Sequence, residues 1–359
     1  MIKTIEKFVA LEDTSIREAV KKMDMNGKGV VVITNSEGKM KGIITDGDFR
    51  RAVLKGIDLD TPVSSIMTED FLYVERNYTF KQIKNIFLKN PIIKHLPVLD
   101  NGFFIDLILR EDVFGIKERG KRKKSLGVDV VIMAGGEGKR LDPFTRILPK
   151  ALIPIENKPM IDYIIEHFLP WGIGKFYISV NYKSSIIKFY FRDSKKNLKY
   201  EFLEEKKPLG TAGGLKFLEG KVKKDFFVTN CDVLVRADFS SILKYHRKAK
   251  NYLTIIGSTK NFTIPYGVCK IDESGRLLNF DEKPKFDFIV NTGVYIVSPK
   301  TLNYIPKNRY FDMTELVKAL LDEKKNIGIY PISESSWIDV GEWEKYQDAY
   351  NILRERIKE

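Results

Sequence analysis

Hydrophobic positions along the chain fall into two patterns. From residue 127 onward, apolar runs of strand length at 130–133, 175–180, 225–230 and 253–257 alternate with helical stretches. Strands separated in this way predict a mostly parallel sheet sandwiched between helices. Sheets of that kind place their sites at strand ends. Before residue 117 the pattern is instead a duplication with a period of about 60 residues. The first copy has an apolar run at 29–34, a turn at 36–39, a second run from Met40 and a helix start marked by Asp46 and Asp48. The second copy has an apolar run at 95–99, a turn at Asp100-Asn101-Gly102 and a run from Phe103 into Arg110-Glu111-Asp112. Each reads as strand, hairpin turn, strand, capped helix.

Between these parts lies the densest basic block, Lys117 to Ser125, which holds one glycine and no core-forming residue and reads as a solvated linker. The boundaries expected are therefore 1–116, a linker at 117–126, and 127–359. A net charge of +13 raises the question of nucleic acid, but no basic and aromatic stripe with a recognition motif accompanies it. Binding of small anions is the other reading of that charge. No apolar run approaches the roughly 20 residues that cross a bilayer, and the N-terminal residues lack a secretory pattern. A cytoplasmic protein with no membrane partner is expected, with Cys231 and Cys269 as reduced thiols outside any metal pattern.

The most informative chemistry follows the run at 130–133. Ala134-Gly135-Gly136-Glu137-Gly138-Lys139-Arg140 is a glycine-rich loop ending in a guanidinium, and Pro149-Lys150 follows at close range. Glycine backbone N–H groups can approach phosphate oxygens closely, and arginine adds a planar, permanently charged fork. The order fits neither the dinucleotide fingerprint nor the P-loop. It resembles the nucleotidyltransferases that build nucleotide sugars from a nucleoside triphosphate and a sugar 1-phosphate. The duplicated first part resembles a tandem pair of CBS domains.

These resemblances imply an α/β, Rossmann-like catalytic domain with a mixed, mostly parallel sheet, preceded by an α+β CBS pair. They assign nucleotide binding to Ala134, Gly135, Gly136, Gly138, Glu205, Gly210 and Thr211, and catalytic charge to Arg140, Lys150 and Lys283. Asp232, from Asn230-Cys231-Asp232, and Asp339, from Trp337-Ile338-Asp339-Val340-Gly341, are the implied Mg²⁺ ligands. Mg²⁺ takes one or two carboxylates and fills its other positions with water and substrate phosphate. Gly267, Glu282, Lys283, Asn291 and Thr292 are the implied contacts to the sugar phosphate. In the CBS pair, Thr45 and Asp48 of the first copy are the candidate contacts to an adenine or guanine nucleotide, although both residue types also cap helices. The second copy has Asp106 and Leu109 at the glycine and threonine positions, so only Asp112 of the pattern remains. Pairing through the CBS domains implies a homodimer.

The base reader is the departure from the common pattern. Uridylyl and thymidylyl relatives place glutamine before the Pro-Leu-Gly-Thr-Ala-Gly turn, whereas this chain has Glu204-Glu205. A carboxylate only accepts hydrogen bonds, and guanine presents two adjacent donors. GTP is the expected nucleotide and a hexose 1-phosphate the acceptor, with glucosamine 1-phosphate suggested by resemblance to CBS-fused guanylyltransferases of legionaminate pathways. UTP or dTTP use is the alternative within the class, and a nucleotide-sensing subunit without turnover the alternative outside it. His95, His167 and His246 fall outside every motif and read as structural.

Overall fold

In a computed structural model the described residues are 5–90, 93–114, 125–194, 197–341 and 346. The duplicated pattern becomes two copies of one small motif. The first contains β1 (Val9–Leu11), α1 (Ile16–Asn26), β2 (Val30–Thr34), β3 (Met40–Thr45) and α2 (Asp46–Leu54). The second contains β4 (Val74–Glu75), α3 (Phe80–Lys89), β5 (His95–Asp100), β6 (Phe103–Leu109) and α4 (Arg110–Val113). In each, the first strand runs parallel to the second and the second antiparallel to the third. Every position of β2 is buried, which is why its sequence is a continuous Val-Val-Val-Ile-Thr rather than an alternation. The copies share a core in which Val30 and Val32 of the first pack with Leu99, Phe104 and Leu107 of the second. Each copy also has a cluster of its own, around Val31, Ile33 and Ile44 in the first and Phe87, Leu96 and Val98 in the second, and the shared core joins the two.

The rest of the chain supplies β7 (Val130–Met133), β8 (Pro154–Ile155), β9 (Lys158–Pro159), α5 (Met160–Phe168), β10 (Phe176–Val180), α6 (Ser184–Ser194), β11 (Tyr200–Glu204), α7 (Gly210–Gly213), β12 (Phe226–Asn230), β13 (Val233–Val235) and α8 (Phe239–Lys248). Then follow β14 (Leu253–Thr263), β15 (Gly267–Ile271), β16 (Leu277–Glu282), β17 (Lys285–Val297), α9 (Met313–Asp322), β18 (Ile327–Ile332) and β19 (Trp337–Asp339). Seven strands form the central sheet in the order β11-β10-β7-β12-β17-β14-β18. Pairs β11/β10, β10/β7, β7/β12 and β14/β18 are parallel, and β12/β17 is antiparallel. The sheet is mixed and mostly parallel, as expected. Alternate side chains of β7 enter opposite cores: Val130 and Ile132 pack with residues of α5 and α8, and Val131 with residues of α9. That alternation makes a three-layer αβα sandwich.

The packing does not follow chain order. One unit gathers residues of the first 121 with 259–289 and 333–335, and the second gathers 122–258, 290–332 and 336 onward. The outer parts of β14 and β17 and the ribbon β15–β16 thus pack with the duplicated module. The basic block expected to be a linker lies mostly outside the described residues.

Candidate active site

Parallel pairing places Met133 of β7 opposite Ser179 of β10 and Asn230 of β12, and places Val180 opposite Glu204 of β11. The glycine loop, Glu205 and Asp232 therefore leave one edge of the sheet together. They line a cavity of about 550 Å³ that also includes Arg140, Lys150 and Thr211. Within the loop, Gly138 has φ +71°, and a Cβ there would stand 2.8 Å from Thr145 Cγ2 and 3.1 Å from Lys150 Cβ. That glycine is needed to fold the loop back on Lys150. Gly136 is exposed with open space around its Cα, and Arg140 follows in an exposed turn.

At the cavity floor, Lys150 Nζ is 2.5 Å from Asp232 Oδ2, with both side chains about seven-eighths buried. Strands β13 and β19 pair antiparallel with Val233 opposite Asp339, and Val340 donates its N–H to the Asp232 carbonyl at 2.9 Å. This pairing brings the second carboxylate in. A Cβ on Gly341 would lie 2.7 Å from Asp232 Oδ2, 2.9 Å from Asp339 Oδ1 and 3.5 Å from Lys150 Nζ. Two carboxylates and one ammonium thus border a space that only glycine leaves open. The described residues contain no cluster of three His, Cys, Asp or Glu side chains suited to a metal. An oxygen-liganded ion that completes its shell from water and phosphate needs no more than the two carboxylates, so the donor set fits Mg²⁺. Cys231, next in sequence, is buried and its thiol is pushed up to about 12 by burial and then by Asp232, which makes it inert.

Glu205 and Glu204 separate cleanly. Glu204 is exposed and pairs with Lys188 at 2.7 Å, whereas Glu205 is buried and lines the cavity. Ser179 donates its hydroxyl to Glu205 Oε1, and the Leu209 N–H donates to Oε2 at 2.9 Å. Asn181 holds the Glu205 carbonyl at 2.7 Å. A Cβ on Gly214 would come within 2.5 Å of Oε1, so the carboxylate rests against a bare glycine. Burial pushes this carboxyl above the usual range, and the two donors oppose that rise. Among the described residues each oxygen has one donor, and a carboxylate oxygen can accept a second.

Several expected contacts have local structural work. Thr211 donates its hydroxyl to Asp312 Oδ1 at 3.0 Å and accepts the Met313 N–H at 2.9 Å, fastening its turn to the start of α9. Gly210, at φ +78°, allows the approach to Phe311 and Asp312. Thr292 is buried, with its hydroxyl donating to the Ile256 carbonyl at 2.8 Å, so it is committed to the sheet. Asn291 is exposed on β17 and donates to Tyr295 Oη at 2.7 Å. Gly267 and Glu282 face each other across β15 and β16, and Lys283 follows at φ +48°; these three cluster at one end of the ribbon. Thr45 and Asp48 form the reciprocal cap of α2: Asp48 Oδ2 accepts the Thr45 hydroxyl at 2.6 Å and the Thr45 N–H at 2.9 Å, and Arg51 pairs with Oδ1. Sequence reasoning missed Ser179, Asn181 and Asp312, because a serine inside an apolar strand and an aspartate before a helix carry no distinguishing local signal.

Residues 129–356 match the family model described as nucleotidyl transferase. The chain belongs to the nucleotidyl transferase family. Residues 2–55 and 63–118 match the CBS domain model. A UTP–glucose-1-phosphate uridylyltransferase of Synechocystis is 31% identical in an alignment that covers 64% of this chain and 64% of its own. A mannose-1-phosphate guanyltransferase of Saccharomyces cerevisiae is 33% identical over 59% of this chain and 61% of its own. The D-glycero-α-D-manno-heptose 1-phosphate guanylyltransferase of Campylobacter jejuni is 29% identical over 61% of this chain and 97% of its own. This nucleotidyl transferase spans about three-fifths of the length of the first two relatives. Among solved structures, HddC from Yersinia pseudotuberculosis aligns with a TM-score of 0.50 and 27% identity over 63% of this chain and 99% of its own. No helix among the described residues is long and apolar enough to cross a membrane.

Proposed function

We propose that this nucleotidyl transferase moves GMP from GTP onto a hexose 1-phosphate, releasing pyrophosphate. The observation that carries the reading is Glu205, a buried carboxylate held at the cavity wall by Ser179 and Leu209 with acceptor capacity to spare. Among the common bases guanine alone offers two adjacent donors to such a group. The yeast mannose-1-phosphate and Campylobacter heptose 1-phosphate guanylyltransferases support the same choice. The Synechocystis uridylyltransferase favours UTP as the second reading. Glucosamine 1-phosphate is the first acceptor to test, through the likeness to CBS-fused guanylyltransferases.

The chemistry follows from charge placement. A sugar 1-phosphate is largely dianionic near neutral pH, because the second phosphate pKa is about 6, and its oxygen can attack the α-phosphorus without a protein base. The backbone of Gly135, Gly136 and Gly138 cradles the triphosphate, and Arg140 neutralises charge gathering on the departing pyrophosphate. Lys150 holds Asp232 in place and adds a fixed positive charge beside the reacting phosphate. On the ribbon, Lys283 binds the sugar phosphate, with Glu282 and the Gly267 backbone on sugar hydroxyls and Asn291 on β17 as a further contact. Asp232 and Asp339 would hold Mg²⁺, which supplies Lewis-acid neutralisation of phosphate charge when bound. A purine nucleotide at the CBS pair and a homodimer complete the proposal.

Equilibrium binding to the full chain tests the base assignment. GTP should bind at least ten-fold more tightly than UTP. Equal affinities would remove Glu205 as the base reader.

A further inference from the structure

The ribbon β15–β16 bears Gly267, Glu282 and Lys283 and is poorly covered: Ile271, Leu277, Leu278 and Phe280 are each more than half exposed. A two-stranded ribbon is marginally stable by itself, so its orientation depends on how its root is held. The root is held by helix α1 of the first CBS copy. Arg17 forks onto Asp287 of β17, with Nη1 2.8 Å from Oδ1 and Nη2 2.6 Å from Oδ2, while its Nε reaches Asp60 Oδ1 at 2.9 Å. Asn261 of β14 donates to the same Asp287 at 3.2 Å. Asp287 is four residues beyond Lys283 and four before Asn291.

Two further ties act at the same junction. Ser333 donates to Asp24 of α1 at 3.0 Å, and Lys260 of β14 pairs with Glu334 at 2.5 Å. The Arg17 side chain is only 16% exposed and Asp287 27%, so the fork sits largely out of water. Bidentate arginine–carboxylate pairs fix geometry as well as charge. Asp287 is held below the usual carboxylate range, first by its hydrogen bond from Arg17. The apolar floor beside the pair comes from Val20, Phe49 and Leu59, which line a cavity of about 410 Å³ with Arg17 and Asp287.

We infer that Arg17 is a positioning residue for sugar 1-phosphate binding, setting the ribbon that carries Lys283 through its fork onto Asp287. This inference rests on the reading of Lys283 as the sugar phosphate ligand. It makes the first CBS copy a structural part of acceptor binding, so that whatever shifts α1 changes acceptor affinity rather than nucleotide affinity. Lys22, also on α1 but directed to the Val9 carbonyl at 2.7 Å, provides a control on the same helix.

The test uses the full chain with Arg17→Ala, Arg17→Lys, Asp287→Asn and the control Lys22→Ala. Hydrogen exchange over residues 267–283 and KM for each substrate are the readouts. Arg17→Ala and Asp287→Asn should raise ribbon exchange and acceptor KM at least five-fold, with GTP KM within two-fold and kcat nearly unchanged. Arg17→Lys should fall between, the double variant Arg17→Ala with Asp287→Asn should be no worse than either single, and Lys22→Ala should match wild type in both readouts. Unchanged ribbon exchange in folded Arg17→Ala, or an equal rise in both KM values, would overturn the inference. Wild-type protein that turns over no sugar 1-phosphate would instead remove the reading beneath it, a failure visible before any variant is made.

Discussion

Lys150 and Asp232 form an ion pair at 2.5 Å beside Gly341, where the carboxylate of Asp339 also borders the space. The pair comes from segments 82 residues apart in the chain, joined by the turn after β12 and the 3₁₀ turn Lys150–Leu152. An amide at 232 would keep the shape, lose the charge and leave the ammonium without its partner. Asp232→Asn should reduce turnover by about 10³-fold while far-ultraviolet circular dichroism stays unchanged. Turnover within ten-fold of wild type would contradict the assignment.

Gly341→Ala offers a subtler probe of the same place. The added methyl meets carboxylate tips rather than backbone, so the fold can accommodate it by turning Asp232 and Asp339 away. The expected result is a change in Tm of a few degrees or less, about 1 kcal/mol, with activity down at least ten-fold and a raised Mg²⁺ requirement. Full activity at unchanged Mg²⁺ would show that the carboxylates are not used together.

Glu205 makes a signed prediction about pH. Burial raises its carboxyl above the unfolded value, so its contribution to stability is fully present below the ordinary glutamate pKa of about 4.3 and is lost as pH rises through the folded value. Glu205→Gln cannot titrate. The stability of wild type relative to Glu205→Gln should therefore fall across that window, measured by urea unfolding at a series of pH values. The same variant should relax base preference by about ten- to a hundred-fold, since a buried acceptor left unmatched costs roughly 1–3 kcal/mol.

Ser179→Ala removes one of the two donors that oppose this rise, and it should shift the window to higher pH and weaken GTP binding without altering acceptor KM. A pH window that does not move would mean the hydroxyl contributes nothing to the carboxylate.

Thr211 separates structural from chemical roles. Its hydroxyl serves Asp312 and Met313, so Thr211→Val should cost about 1–2 kcal/mol in unfolding free energy. GTP KM should change less than three-fold. A large loss of nucleotide affinity at unchanged stability would restore the hydroxyl to the binding site.

Legibility in the sequence tracked burial. The runs at 175–180 and 225–230 became β10 and β12 to within one residue, because fully buried strands must be continuous apolar runs. The run at 253–257 marked only the inner part of β14, which continues to Thr263 where its residues are exposed and the pattern loses contrast. For the same reason β15, β16 and the outer half of β17 announced their motifs but not their ribbon. The loops at Gly138 and Glu205 were readable because glycine and carboxylate chemistry is local. The fork between Arg17 and Asp287, 270 residues apart, was not, since neither residue stands out in its own surroundings. Thr45 and Asp48 were plain in the sequence as a motif, and the structure shows them bonded to each other at the start of α2.

Guanylyl transfer from GTP to a sugar 1-phosphate would be read as pyrophosphate release by the full chain with Mg²⁺. GTP, UTP, dTTP, ATP and CTP would each be offered with glucosamine, mannose, glucose and N-acetylglucosamine 1-phosphates. Turnover with GTP should be at least ten-fold above that with every other nucleotide. Turnover led by UTP or dTTP, or none with any pair despite nucleotide binding, would contradict it.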